Sequence, residues 1–309
     1  MIQVNGLTKK FGDFTALSAL DCTIPAGCIY GLVGSNGAGK STLLRLICGI
    51  YRPDKGNVTL DGRNIYENPE LKEKLVFVPD ELYFLPQANM LRMAQTYASF
   101  YPRFDRSRFG ELTDAFKLNP KANLGTFSKG MRRQAATVLA LACKTDFLFL
   151  DETFDGLDPI MRNLVKKVLY ADVAERGATA VITSHSLREL EDTCDQLALL
   201  HKGGIVFESD VQNLKTTLFK VQIAFDHDYD HTLFSGFDVL NFTKHGSVSN
   251  LIVRGDRDEI AAKIAAMNPV LMDILPLSLE EIFTYEMEAL GYVFDPSGYG
   301  FAEGEGEKK

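Results

Sequence analysis

Residues 34–41 read GSNGAGKS and fit the pattern G-x-x-x-x-G-K-[ST]. Glycines at this spacing let successive backbone N–H groups turn inward around a phosphate, and a helix starting at Lys40 adds its positive end at the same point. In such a loop Lys40 reaches the terminal phosphates of a nucleotide and Ser41 offers its hydroxyl to Mg²⁺. Asp151 and Glu152 stand directly after the apolar run FLFL, and His185 follows the later run AVIT. Acidic residues often end strands merely to stay wet, and a lone histidine is more often a surface residue than a reactive one. Beside a phosphate loop they acquire a chemistry. Asp151 holds a metal, usually through water, and Glu152 polarises the attacking water, because phosphoryl transfer depends on positioning and charge neutralisation. The stretch FSKGM at 127–131 is less explicit: Ser128 is a common helix N-cap and Gly130 frees the local backbone, so a helix begins nearby.

The elements that must position these residues follow from the apolar pattern. IYGLVG at 29–34 reads as a strand, and Leu43, Leu46, Ile47 and Ile50 mark one face of the helix after the loop. Pro53 and DKG at 54–56 read as its close, and VTLDG from Val58 as a strand. FLFL is the short unbroken run of a parallel strand buried on both faces. Asp158 and Pro159 fit an N-cap and first helical position, with Leu164, Val165, Val168 and Leu169 as the buried stripe. Strand, helix, strand implies a right-handed crossover between neighbouring parallel strands, whose ends share one edge of the sheet; Asp151, Glu152 and His185 therefore converge there. Ser186 with Glu189 reads as a capping box, and Lys202 to Gly204 as a hairpin turn.

MLRMAQTYASF and RFGELTDAFKL form a helical insertion over about 88–140. Residues 1–215 are thus one expected domain and 216–290 a small α+β domain, in which Phe219, Val221, Ile223 and Phe225 alternate with polar residues. Asp256 with Glu259, and Ser278 with Glu281, cap its helices; a tail over 291–309, ending EGEGEKK, is expected to be partly disordered.

Bulk properties narrow the classes. The 309 residues carry a formal charge of -8 with both signs mixed, which argues against a general nucleic-acid surface. Cysteines at 22, 28, 48, 143 and 194 show no metal-ligand spacing and read as buried free thiols in a reducing cytosol. The N-terminus lacks a signal-peptide pattern, and no stretch approaches the roughly 20 apolar residues that cross a bilayer. A membrane role requires another chain to do the spanning.

Gly34 to Thr42, FSKGM, FLFLDE, FDGLDP and TSH at 183–185 together resemble the ordered motif series of an ATP-binding cassette (ABC) ATPase: Walker A loop, signature, Walker B strand, D-loop and H-loop. The resemblance covers roughly the first 215 residues. It implies an α/β P-loop NTPase fold, with a RecA-like core, an antiparallel β subdomain and a helical subdomain, followed by the small α+β domain. It also implies ATP and Mg²⁺ as cofactors. By the same resemblance Gly34, Ser35, Asn36, Gly37, Ala38, Gly39, Lys40, Ser41 and Thr42 bind the phosphates, and Phe11 stacks on adenine with Val4 and Ala16 as lesser neighbours. Glu152, His185 and Lys40 are the catalytic set. In this family two cassettes, alike or unlike, pair head to tail, so Ser128, Lys129, Gly130 and Met131 face the nucleotide of the partner; the serine and glycine then make sense only in a dimer.

Two departures stand out. The family's LSGGQ signature has Lys129 and Met131 here, and the metal-sensing glutamine of the Q-loop is replaced by Asp80 or Glu81 within LVFVPDELYF. Asp80 is expected to preserve metal contact alongside Ser41 and Asp151. The SKG signature and the SLEEIF ending resemble bacterial exporters that pair a cytoplasmic ATPase chain, peripheral on the membrane, with a separate permease. Two alternatives stand beside this reading. A non-transport ABC ATPase of translation or DNA maintenance lacks its usual second cassette or coiled coil here, and a GTPase is suggested only by CKTD at 143–146, on the wrong side of the Asp151 strand.

Overall fold

The computed structural model describes residues 1–289, 292–295 and 300–303. Strands β1 (Ile2–Phe11) and β2 (Phe14–Ile24) pair antiparallel from Ile2↔Ile24 to Phe11↔Phe14, turning at Gly12. β3 (Ile29–Val33), buried at every position, leads into the glycine-rich loop and α1 (Lys40–Ile47). β4 (Lys55–Leu60) starts inside the segment read as a turn, because Gly56 lies flat against the Asn5 and Gly6 carbonyls, where a β-carbon would sit 2.3 and 2.4 Å away. β5 (Arg63–Asn64), α2 (Pro69–Lys72) and β6 (Leu75–Val78) complete this stretch. The helical insertion contains α3 (Met90–Phe100), α4 (Arg106–Ala115) and α5 (Lys129–Ala142). The chain then alternates through β7 (Phe147–Leu150), α6 (Pro159–Arg176), β8 (Thr179–Ser184), α7 (Leu187–Glu191), β9 (Gln196–His201) and β10 (Gly204–Asp210).

Among the described residues, β2-β1-β4-β5 form one sheet and β10-β9-β3-β8-β7-β6 another. The β3–β8, β3–β9, β6–β7 and β7–β8 pairs are parallel, so the ends of β3, β7 and β8 reach one edge. Leu7, Leu20, Leu44, Ile47, Leu60 and Phe149 belong to one buried cluster that joins both sheets to α1. Its burial keeps the phosphate loop seated on the strand edge.

The helical insertion is tied to the core by Asp172 of α6, which is 3% exposed. Its two carboxylate oxygens accept from Arg108 of α4 and, at 2.8 Å, from Arg176, which also donates to the Thr145 carbonyl at 2.6 Å. The capping box read at Ser186 does not form. Glu189 instead accepts from Ser184 Oγ at 2.7 Å and pairs with Arg162 at 3.1 Å, while the Ser186 N–H donates to Ser184 Oγ.

The chain divides into two compact units after Glu208. α8 (Val211–Thr217) packs on β11 (Leu218–Ala224), which places it with the second unit. There β12 (Asp238–His245), β13 (Val248–Arg254) and β14 (Leu271–Pro276) complete an antiparallel sheet of order β12-β13-β11-β14. Phe219, Val221, Ile223, Leu251 and Val253 cover one buried cluster with Ile260 and Ile264 of α9 (Arg257–Ala265). At α10 (Leu279–Ala289) the box is reciprocal: the Glu281 N–H donates to Ser278 Oγ and the Ser278 N–H to Glu281 Oε2. β15 (Tyr292–Asp295) pairs with β16 (Gly300–Glu303), so part of the expected tail is paired strand; the rest, with the last six residues of EGEGEKK, lies outside the described residues. Among the described residues no helix is long and apolar enough to cross a membrane.

Replacing Asp172 by alanine leaves two guanidinium groups without their shared acceptor. Partial exposure of both arginines softens the penalty, and the expected loss is about 2–3 kcal/mol, read from the urea midpoint of unfolding.

Candidate functional site

The loop between β3 and α1 is shaped by close backbone approach. A β-carbon at Gly34 would lie 2.4 Å from the Leu200 carbonyl, and one at Gly39 2.8 Å from the Ala16 carbonyl. Gly39 also has φ 110, a conformation that other residues rarely adopt. It stands at the N-cap of α1 with no side-chain cap, so the first N–H groups of the helix remain for a ligand.

A cavity of about 300 Å³ opens over this loop. Ser35, Asn36, Gly37, Gly39, Lys40, Ser41 and Thr42 line its phosphate-loop wall, with Phe11, Phe14, Ala16, Asp80 and Glu152 around it. Gly34 and Ala38 shape the loop from behind and do not line it, and Val4 is buried in the core cluster. Lys40 is 5% exposed; its ammonium donates to the Gly34 carbonyl at 2.6 Å and lies 3.2 Å from Glu152 Oε1. The other Glu152 oxygen sits 3.1 Å from His185 Nδ1. The glutamate is thus braced between a cation and an imidazole at the mouth of the loop.

Glu152 holds φ +47, left-handed and strained for a residue with a β-carbon, and this turns the chain sharply after β7. Thr183 stabilises the turn: its hydroxyl accepts from the Glu152 N–H at 2.9 Å and donates to Asp151 Oδ1 at 2.7 Å. Asp151 is fully buried, and its Oδ2 has no hydrogen-bond partner among the described residues. A buried carboxylate oxygen left unpaired is costly unless something else satisfies it. A hydrated divalent cation fits that requirement; Asp151 itself does not line the cavity, whose wall carries Ser41.

Asp80 accepts from Arg133 Nη2 at 2.7 Å while lining the cavity; Glu81, the other candidate for this position, is not among the lining residues. Phe11 packs edge-on against Tyr51 with centroids 5.6 Å apart, and Phe14, 62% exposed, stands beside it across the hairpin end. Phe14 is not marked by the sequence reading, and Thr183 enters it only as the first residue of TSH, with no role of its own. The FGDF spacing across a two-residue turn carried the signal for Phe14, whereas the role of buried Thr183 follows only from the β7–β8 register.

Ser128, Lys129, Gly130 and Met131 do not line this cavity. Ser128 Oγ accepts from the Met131 N–H at 3.2 Å and caps α5. A β-carbon at Gly130 would lie 2.9 Å from the Gly156 carbonyl. The sequence reading set these two residues against a partner's nucleotide; within one chain Ser128 caps α5 and Gly130 makes room for the Gly156 carbonyl. Lys129 is held by Asp155 at 2.7 Å, which keeps that carboxyl below its ordinary range and directs the lysine to the D-loop.

A family model described as ABC transporter matches residues 17–155. The chain is 29% identical over 283 residues to the ABC transporter ATP-binding protein YtrB of Bacillus subtilis (strain 168), covering 92% of this chain and 97% of that one. It is 32% identical over 224 residues to the daunorubicin/doxorubicin resistance ATP-binding protein DrrA of Streptomyces peucetius, covering 70% and 67%. Among solved structures, an ATP-binding subunit of an ABC transporter superposes with TM-score 0.64 at 23% identity, over 70% of this chain and 92% of that one. A bacterial ABC transporter cassette solved as a dimer superposes with TM-score 0.60 at 23% identity, over 68% and 99%.

Thr183→Val removes the hydroxyl from both of its bonds. It is expected to lower stability by about 2 kcal/mol, since one partner is a buried carboxylate, and Thr183→Ser by roughly 1 kcal/mol or less. Chemical denaturation of the three proteins compares them directly.

Proposed function

The chain belongs to the family of ABC transporter ATP-binding proteins, and we propose that it hydrolyses ATP in the cavity over Gly34 to Thr42 to drive export through a separate membrane permease. The observation that carries the reading is the Glu152 carboxylate, braced by Lys40 and His185 at the mouth of the phosphate loop. From there Glu152 accepts a proton from the attacking water, Lys40 and the N–H groups of the loop hold the phosphates, and His185 orients the glutamate. Phe11 and Phe14 provide the aromatic wall for adenine. Mg²⁺ would be held by Ser41 and Asp151, with Asp80 in the place of the usual glutamine, and supplies neutralisation of charge on the phosphate oxygens.

Ser128 to Met131 lie outside the lining of their own chain's cavity, which supports their use on the nucleotide of a second cassette, alike or unlike, paired head to tail. The stroke passes to the permease through the loop after β6 and the helical insertion. In support, an apolar groove of about 520 Å³ lies where α2 and β6 meet α3, lined by Phe77, Tyr97, Phe100 and Tyr101 among others. Work on such a partner places the chain on the cytoplasmic face of the membrane. In this reading the first unit, through Glu208, is the cassette with its insertion over about 88–140, and the second, from Ser209, is the α+β domain.

Glu152→Gln keeps the shape of the site and removes the base. ATP hydrolysis is expected to fall by at least about 100-fold while nucleotide affinity persists, and size-exclusion chromatography is expected to show an ATP-dependent dimer. Retained turnover in this variant would remove the proposal, and failure of the chain to bind any integral membrane chain in a pull-down from detergent-solubilised native membranes would remove its transport part.

A further inference from the structure

The structure assigns a positioning role to Arg132 and Arg133: they clasp the Pro79–Phe84 loop to α5, so that the nucleotide cavity and the Ser128 end of α5 move as one body. Arg133 is 1% exposed and is the one charged side chain that α5 buries, beside Gln134, Thr137 and a run of alanine, valine and leucine. Its guanidinium donates to Asp80 Oδ1 at 2.7 Å, to the Pro79 carbonyl at 3.1 Å and to the Asp151 carbonyl at 3.5 Å. Burying a guanidinium is costly unless acceptors surround it, and here they come from the ends of two neighbouring strands, β6 and β7. Arg132 adds a second grip. It donates to the Leu82 carbonyl at 3.2 Å and lies over the Phe84 ring at 5.6 Å.

The residues held are those that meet the nucleotide. Asp80 lines the cavity, and the Asp151 backbone carries the buried carboxylate behind it. At the other end of the same short stretch of helix stands Ser128, capping the first turn. A helix transmits displacement along its axis because its hydrogen-bonded turns are stiff. A ligand that shifts Asp80 therefore shifts the end that serves the second nucleotide, and a ligand at that end shifts Asp80, as linkage requires. A guanidinium that merely filled space would contribute stability and no such coupling. The replacement of glutamine at position 80 by aspartate then has a physical reading: the carboxylate is Arg133's counter-ion.

This inference rests on hydrolysis by paired cassettes, and the test separates the two. The wild-type protein, Asp80→Asn, Arg133→Lys and the double variant are compared for steady-state ATP hydrolysis across ATP concentrations. Each single change is expected to lower kcat about three- to thirtyfold, with the ATP KM kept within about twofold and the Hill coefficient reduced toward one. The double variant is expected to be no worse than the poorer single, because the two residues act through one contact. Arg132→Met, which keeps the aliphatic packing, is expected to lower kcat in the same way with an unchanged melting temperature, and so guards against a misfolded Arg133 variant. Additive losses, unchanged kcat in the variants, or a wild-type Hill coefficient of one would overturn the clasp while leaving the ATPase reading intact. Absence of any wild-type hydrolysis would overturn that reading and the clasp with it.

Discussion

One hydroxyl holds the reactive edge of the sheet together. Thr183 Oγ1 has a single proton, given to Asp151, and spends its acceptor capacity on the Glu152 amide. Adjacent carboxylates repel each other, and here Glu152 is also in a left-handed conformation that unaided backbone disfavours. With both residues anchored to the same atom, Asp151 turns inward to full burial and Glu152 swings outward to Lys40 and His185. Two neighbouring residues of the same charge type thereby receive opposite environments, one suited to a cation and one to a water molecule.

That division needs the phosphate loop to sit at a fixed height above the strand ends, and packed backbone sets the height. The Ala16 carbonyl lies where a β-carbon on either Gly39 or Gly203 would intrude, at 2.8 and 2.6 Å, and the Gly203 N–H donates to the Ala38 carbonyl at 3.1 Å. Glycine is required there by proximity, independently of any phosphate. The same contact explains why the β1–β2 hairpin, which belongs to a different sheet, delivers Phe11, Phe14 and Ala16 to the cavity wall.

The parts of this site that were legible in the sequence are those whose signal is local. GSNGAGKS carries its own loop and helix start, and FLFL followed by Asp151 and Glu152 carries a buried strand and its end. His185 needed one topological rule, that a crossover between parallel strands brings their ends to one edge. What stayed hidden depends on register and on side-chain reach. Leu150 pairs with Ile182, and only that pairing sets Thr183 beside Asp151. Nothing in the letters ahead of ATVLALA marks Arg132 and Arg133, whose carbonyl and carboxylate acceptors come from the segment after β6. The box at Ser186 failed for the same reason: Ser184, on the strand end, reached Glu189 first.

The signature segment is fitted to its own chain as well as to the use proposed for it. Ser128 and Gly130 are small, which suits the proposed approach of a second chain's phosphate to the backbone. Yet Gly130 already faces the Gly156 carbonyl, and Lys129 is bonded to Asp155 one residue earlier in the D-loop. The first turn of α5 is therefore fitted to the D-loop on one side and, through Arg132 and Arg133, to the loop after β6 on the other. A larger residue at 130 would displace the D-loop before any partner was involved, so intolerance of substitution there cannot by itself identify a contact between subunits. The discriminating positions are those, such as Arg133, whose bonds all run to the strand ends of the same chain, one of them to cavity-lining Asp80, because any effect they have on a second site must travel through the helix.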